Sequence, residues 1–316
     1  MGGINKMRND QNILSEFVID TLKQNLNVMY AQIWREGTRT AEYKRMPVKT
    51  RLNTWSACKG VVSCAAGIAL DEGLIRLDEK LVDIFPESVP EDPGSNLPKV
   101  SLEHLLTMTS GLENSLFFCD WEERYTTKDW IRYFFTNAVF ANEPGTQWLY
   151  SNFNTYMLSC VIEKRAGVNL LEYLRNRFFE PLEIGNPDWT LCPKGHVHAA
   201  NGLYVTIDEM ANYGNMIMNM GRYKDRQLVP ESYMKKATSN LADNSASKTP
   251  GNLYSGFGYG YQFVMNPEPG SFRSDGNYGQ FCLAYPEKRT VVVVMSLEGQ
   301  FQKIGNSLWQ TVVPQL

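Results

Sequence analysis

A chain of 316 residues with 43% hydrophobic content is long enough to bury a sizeable core, which excludes a disordered protein and suits one composite domain or two lobes. A formal net charge of -3 and a pI near 5.8 give no basic field for a phosphate backbone. With no basic-aromatic stripe and no phosphate-binding glycine loop, nucleic acid is not an expected partner. The six cysteines include no Cys-x-x-Cys pair and form no dense disulfide framework.

The opening segment, residues 1 to 11, is polar and lacks the apolar core of a secretory leader. The chain therefore reads as soluble and cytoplasmic, with a leader already removed as the alternative. The longest apolar stretch falls within residues 61 to 70, too short for a membrane span. Ile13, Leu14, Phe17, Val18 and Leu22 recur at helical spacing across residues 11 to 25. Residues 28 to 34 then read as a strand that turns near Gly37 into a second one.

Residues 56 to 70 are small or apolar almost all round, the pattern of a buried helix, and Gly73 offers its stop. At its start, Ser56 and Lys59 of Ser56-Ala57-Cys58-Lys59 fall three apart on one face, so the amine can reach the hydroxyl. Burial of that first turn disfavours the ammonium form of Lys59, leaving a neutral amine to take the serine proton. Chance places Ser and Lys at this spacing in many helices, and a second motif separates the two readings. Cys58 and Cys64 read as small buried residues rather than reactive thiols.

His104 lies in an apolar helical run and reads as structural. Phe117, Phe118, Trp121, Tyr125, Trp130, Tyr133, Phe134 and Phe135 read mostly as core, with one or two left to line an acyl or leaving-group pocket. The turn Glu143-Pro144-Gly145-Thr146 then leads to Tyr150-Ser151-Asn152, a loop ahead of a helical run at residues 156 to 163. Its phenol can relay a proton to a leaving group, and the Asn152 amide can orient Lys59 or bind a substrate carbonyl. A core tyrosine beside a capping Asn is the structural alternative. His196-x-His198 lacks an acidic or cysteine partner at ligand spacing, so no metal site is expected. No Gly-x-Ser-x-Gly elbow supplies a nucleophile for Ser-His-Asp chemistry.

On these motifs the chain resembles the serine β-lactamase and penicillin-binding protein superfamily, specifically the class C β-lactamase-like branch with its DD-peptidases and esterases. The resemblance covers most of the chain. It includes Gly73-Leu74-Ile75-Arg76-Leu77-Asp78-Glu79-Lys80-Leu81, then Leu105-Leu106-Thr107-Met108-Thr109-Ser110-Gly111-Leu112, then Pro144-Gly145-Thr146 leading into Tyr150-Ser151-Asn152. It implies that Ser56 is acylated, that Lys59 and Tyr150 act as bases, and that Asn277 helps form the oxyanion hole. The family's third motif, Lys-Thr-Gly or His-x-Gly, corresponds to Ser274-Asp275-Gly276, followed by Asn277-Tyr278-Gly279-Gln280. The cation is missing there, and an Asp in its neighbourhood would repel a substrate carboxylate. Strand alternation aims Arg273 elsewhere, which argues against its replacing that cation. Met108 stands where the family often has His, a position given no chemical role.

Residues 170 to 179 and 207 to 220 continue the helical periodicity of the middle of the chain, and residues 239 to 252 read as a long loop. Residues 258 to 265, 279 to 285 and 290 to 296 read as three strands, followed by an amphipathic helix around 302 to 313. The expected fold is α/β of the α+β type, an antiparallel sheet flanked by N- and C-terminal helices with an inserted, mostly helical lobe. Residues 1–55 and 255–316 make the sheet lobe, residues 56–254 the helical one, and the active site lies between them. The expected function is a serine hydrolase that cleaves an amide or ester bond in a small or peptide-like substrate through an acyl-enzyme, with no cofactor implied. Ser56 and Asn277 backbone amides would hold the oxyanion, while Asn152, Ser274, Asp275, Gly276 and Gln280 are substrate-contact candidates. A carboxylesterase with the same site, and a catalytically silent binding or sensor protein, are the alternatives.

Overall fold

The structure, a computed structural model, describes residues 9–116 and 123–316, so most of the polar opening segment and Phe117, Phe118 and Trp121 lie outside the described residues. Asn9 accepts from the Gln11 amide and caps the helix Asp10–Lys23, which turns Ile13, Leu14 and Phe17 inward. The strands Val28–Arg35 and Thr38–Lys44 follow. Glu36 and Gly37 join them with both residues at positive φ, as a type I′ hairpin requires.

These two strands open a six-stranded antiparallel sheet in the order Thr38–Lys44, Val28–Arg35, Thr290–Ser296, Gln280–Tyr285, Phe272–Gly276, Val264–Met265. Thr290–Ser296 is buried at every position, because helices cover both faces and its β-branched run packs on each. On one face Leu283, Val292 and Val294 meet the first helix and the C-terminal helix, through Phe17, Leu308 and Trp309. On the other face Cys282, Val291 and Val293 join the core that includes Met210 and Ala211 of the helix Ile207–Met218. The α+β sheet flanked by terminal helices is the architecture expected from the pattern.

One strand expectation needs correction. Within residues 258 to 265 only Val264–Met265 forms a strand, since Gly258 and Gln262 take positive φ and break the extended run; Tyr259 keeps isolated bridges to Ala242 and Val264. Val264–Met265 takes the sheet edge, and the strand inside it, Phe272–Gly276, carries the third motif. At the C-terminus, the helix Phe301–Ser307 widens into a π-helical turn at Leu308–Val312.

The middle of the chain is helical around one buried axis. Every residue from Lys59 to Ala69 in the helix Lys59–Asp71 is buried, and Gly73 follows at φ +70. The helix Asn152–Ala166 packs against it. A small sheet in this region pairs Leu52–Asn53 with Leu203–Val205, and so ties the chain on either side of the nucleophile motif together. His104 is structural in the sense expected: its Nδ1 accepts from the Ser101 amide while Ser101 Oγ caps the His104 amide. No helix among the described residues is long and apolar enough to cross a membrane.

Candidate active site

Ser56 sits on a 3₁₀ turn, Trp55–Cys58, that feeds the helix Lys59–Asp71, so the α-helix itself starts three residues later than the sequence pattern suggests. A 3₁₀ turn eclipses side chains three apart, and Lys59 Nζ lies 3.0 Å from Ser56 Oγ. Trp55 enters the turn at φ +49, a left-handed conformation unfavourable for a bulky side chain, stabilised by the bond from its amide to Asn53 Oδ1. The same Oδ1 accepts from the Gly202 amide, which ties the nucleophile turn to the segment before the strand Leu203–Val205.

Lys59 is 2% exposed. Its Nζ donates to Asn152 Oδ1 at 2.8 Å and to the Ala200 carbonyl at 2.9 Å, and it lies 4.8 Å from the centre of the Tyr150 ring. Asn152 is the first residue of the helix Asn152–Ala166 and Ser151 is its cap, so only Tyr150 of the second motif is on the loop proper. That loop is anchored from below by Met108, a residue to which sequence reasoning gave no role. Met108 Sδ accepts from the Ser151 amide at 3.5 Å and from Asn154 Nδ2 at 3.4 Å, and its carbonyl accepts from the Leu149 amide.

The third motif approaches from the sheet. Ser274 and Gly276 face the nucleophile helix, and a Cβ on Gly276 would collide with the Thr54 carbonyl, so glycine alone allows this backbone approach. Asn277 follows on the turn into Gln280–Tyr285. Gln280 is fully buried and ties that turn from behind, donating to the Asn277, Tyr278 and Ser296 carbonyls. Ser274 is also buried, bonded to Tyr213 Oη at 2.8 Å. Ser274 and Gln280 thus support the site's walls from outside the cavity lining. Alternation sends Arg273 to the opposite side of the strand from Ser274, as anticipated, but this is the side of Asp275, and Arg273 Nε donates to Asp275 Oδ2 at 2.7 Å. Asp275, expected to repel a substrate carboxylate, is an ion-paired carboxylate.

Ser56, Tyr150, Asn152, Asp275, Gly276 and Asn277 line one cavity of about 200 Å³. Trp55, Asn201, Phe281 and Phe301 complete it, and no spacing in the sequence singles these four out. Of the two histidines in His196-x-His198, His196 Nδ1 pairs with the buried Glu163 at 2.5 Å, while His198 packs edge-on against Trp130. Burial holds the His198 imidazole down to about 3. Among the described residues no group of three or more His, Cys, Asp or Glu could hold a metal ion. Burial also pushes the Cys58 thiol up to about 12 and raises Cys64, so neither is poised as a thiolate.

The sequence model of the Beta-lactamase family matches residues 14–309, nearly the whole chain. The chain belongs to the beta-lactamase family. Within that family it is 24% identical over 260 residues to a penicillin-binding protein of Bacillus subtilis, covering 71% of this chain and 57% of the relative. It is 26% identical over 246 residues to a beta-lactamase of Escherichia coli K12, covering 71% and 62%. The chain thus spans less than two thirds of the length of either relative. Among solved structures, the octameric penicillin-binding protein homologue of Pyrococcus abyssi superposes with a TM-score of 0.75 at 20% identity, covering 97% of this chain and 78% of that one. EstCE1, a hydrolase with promiscuous acyltransferase activity, gives 0.75 at 16% identity, covering 95% and 99%. At these identities the structural likenesses carry the fold alone.

Proposed function

We propose that this beta-lactamase family member is a serine hydrolase that cleaves ester or amide bonds through an acyl-enzyme on Ser56. The observation that carries the reading is the 3.0 Å contact between Lys59 Nζ and Ser56 Oγ inside a desolvated helix start. A neutral amine has two N–H groups, and the Asn152 and Ala200 oxygens accept two. In that form the amine can turn its lone pair toward the Ser56 hydroxyl proton. Ser56 Oγ attacks the carbonyl carbon, the proton passes to Lys59, and the backbone amides of Ser56 and Asn277 stabilise the oxyanion. Collapse of that intermediate breaks the bond to the leaving group, which takes a proton by way of Tyr150. Water then attacks the acyl-enzyme along the same route in reverse and frees Ser56.

Esters and amides without a carboxylate beside the scissile bond are the favoured substrates in this reading. Ser274 supplies no cation where the resemblance leads one to expect Lys or His, and the Arg273 charge is engaged by Asp275. A chromogenic neutral ester and a chromogenic penicillin, assayed side by side, test this. The ester is expected to show kcat/KM at least about tenfold higher, the equivalent of one lost charge contact. Efficient penicillin hydrolysis would overturn the preference, and turnover of neither substrate, with no fluorophosphonate adduct on Ser56, would favour the silent binding protein.

A further inference from the structure

Among the described residues the cavity lining carries one carboxylate, Asp275, whose side chain is 28% exposed while that of its partner Arg273 is 3% exposed. Arg273 is turned away from the opening: its remaining contacts are to the Met265 carbonyl and Asn266 Oδ1, with the rings of Tyr254 and Trp309 at 5.0 and 5.5 Å from the guanidinium carbon. Arg273 engages Oδ2. A carboxylate offers about four lone-pair positions, so acceptor capacity remains on the cavity side. The same lining includes the rings of Trp55, Tyr150, Phe281 and Phe301, and Trp55 packs at a tilt against Tyr278, 4.7 Å between ring centres. Lys59, the cation at the base of the site, has its amine directed to Asn152, Ala200 and Ser56.

A partly exposed acid in a cavity lined by aromatic rings is a receptor for an ammonium group, through its charge and the ring quadrupoles. We propose that this site takes substrates bearing a cationic amine on the part seated against the strand Phe272–Gly276, so that amino-substituted esters or amides are its preferred class. For catalysis the proposal rests on the serine-hydrolase reading; for binding it does not.

The test separates the two. In the Ser56→Ala protein, which removes the acylation step, equilibrium binding of phenethylammonium, phenethyl alcohol and 3-phenylpropionate is measured by calorimetry at low and high salt. The ammonium is expected to bind about 5- to 10-fold tighter than the alcohol, the carboxylate weakest, and the spread is expected to shrink with salt. Asp275→Asn is expected to abolish the ammonium advantage. Because that change leaves a buried guanidinium unpaired, the double variant Asp275→Asn with Arg273→Met provides the same comparison in a charge-balanced background. Equal or tighter binding of the carboxylate, or an ammonium preference that survives in either folded variant, overturns the proposal. Ammonium preference without acylation of Ser56 in the unmodified protein would instead sink the hydrolase reading and leave this one standing.

Discussion

A Cβ placed on Gly276 would stand 2.4 Å from the Thr54 carbonyl oxygen and 2.9 Å from the Ser56 amide nitrogen. Strand and nucleophile turn therefore meet backbone to backbone, and this contact sets how the Ser56 and Asn277 amides lie relative to each other. Both of those carbon contacts are with main chain, which cannot swing aside as a flexible side chain would.

Gly276→Ala is accordingly expected to separate the two amides. The loss of an oxyanion donor lowers kcat about 100-fold or more, while the overpacking destabilises the fold by about 1 to 3 kcal/mol. Steady-state kinetics and urea unfolding on the same preparation check this. Full activity in the folded variant would remove Asn277 from the oxyanion hole.

Lys59→Arg is expected to reduce turnover to background, since a guanidinium stays protonated and cannot accept the serine proton. Ser56→Ala is expected to take no fluorophosphonate adduct where the unmodified chain takes one, read by intact-mass spectrometry. Equal labelling of Ser56→Ala would move the nucleophile elsewhere.

Met108→Leu keeps the volume but removes the thioether that accepts from the Ser151 amide and the Asn154 side chain. Two buried donors lose their sulfur acceptor, which is expected to destabilise the protein by about 1 to 3 kcal/mol. If Met108 positions the second motif, kcat falls more than KM changes, and Met108→Gln, which restores an acceptor, recovers part of kcat. A loss of stability with unchanged kcat would make the contact purely structural.

His198 ties stability to pH with a definite sign. Its imidazole is held near 3 when folded, against an ordinary value of 6.5, so between those limits the unfolded chain binds a proton that the folded chain does not. Stability is therefore present above about pH 6.5 and is lost as pH falls towards 3, by up to about 1.4 kcal/mol per pH unit. His104, also lowered by burial, adds a contribution of the same sign. His198→Phe is expected to flatten the fall in urea midpoint between about pH 6.5 and pH 4 relative to the unmodified protein. An unchanged slope would show that other groups carry the acid sensitivity.

The Ser56–Lys59 contact was legible from the chain because it is local. Residues three apart meet on any helical turn, whether the turn is 3₁₀ or α, so even a misplaced helix start leaves the pair intact. The all-buried strand Thr290–Ser296 was legible for the same kind of reason, since a β-branched run has few other uses. The resemblance supplied Tyr150 and Asn277 as motif members, but nothing along the chain measures their distance from Ser56.

What only the tertiary structure decided is where side chains go when their partners are far away in sequence. Ser274 reads as a cavity residue until Tyr213, 61 positions earlier, draws its hydroxyl behind the helix. Asp275 reads as a charge that repels a substrate carboxylate, and only the packing shows the buried Arg273 turned onto it. Asn201, Phe301 and Met108 reach the site from three separate segments with no spacing to announce them. Backbone periodicity orders neighbours within a turn or along a strand, and the sequence by itself determined those. Which distant surfaces come together depends on how the buried helix and the sheet pack, and that packing determined the cavity's shape and the side chains that line it.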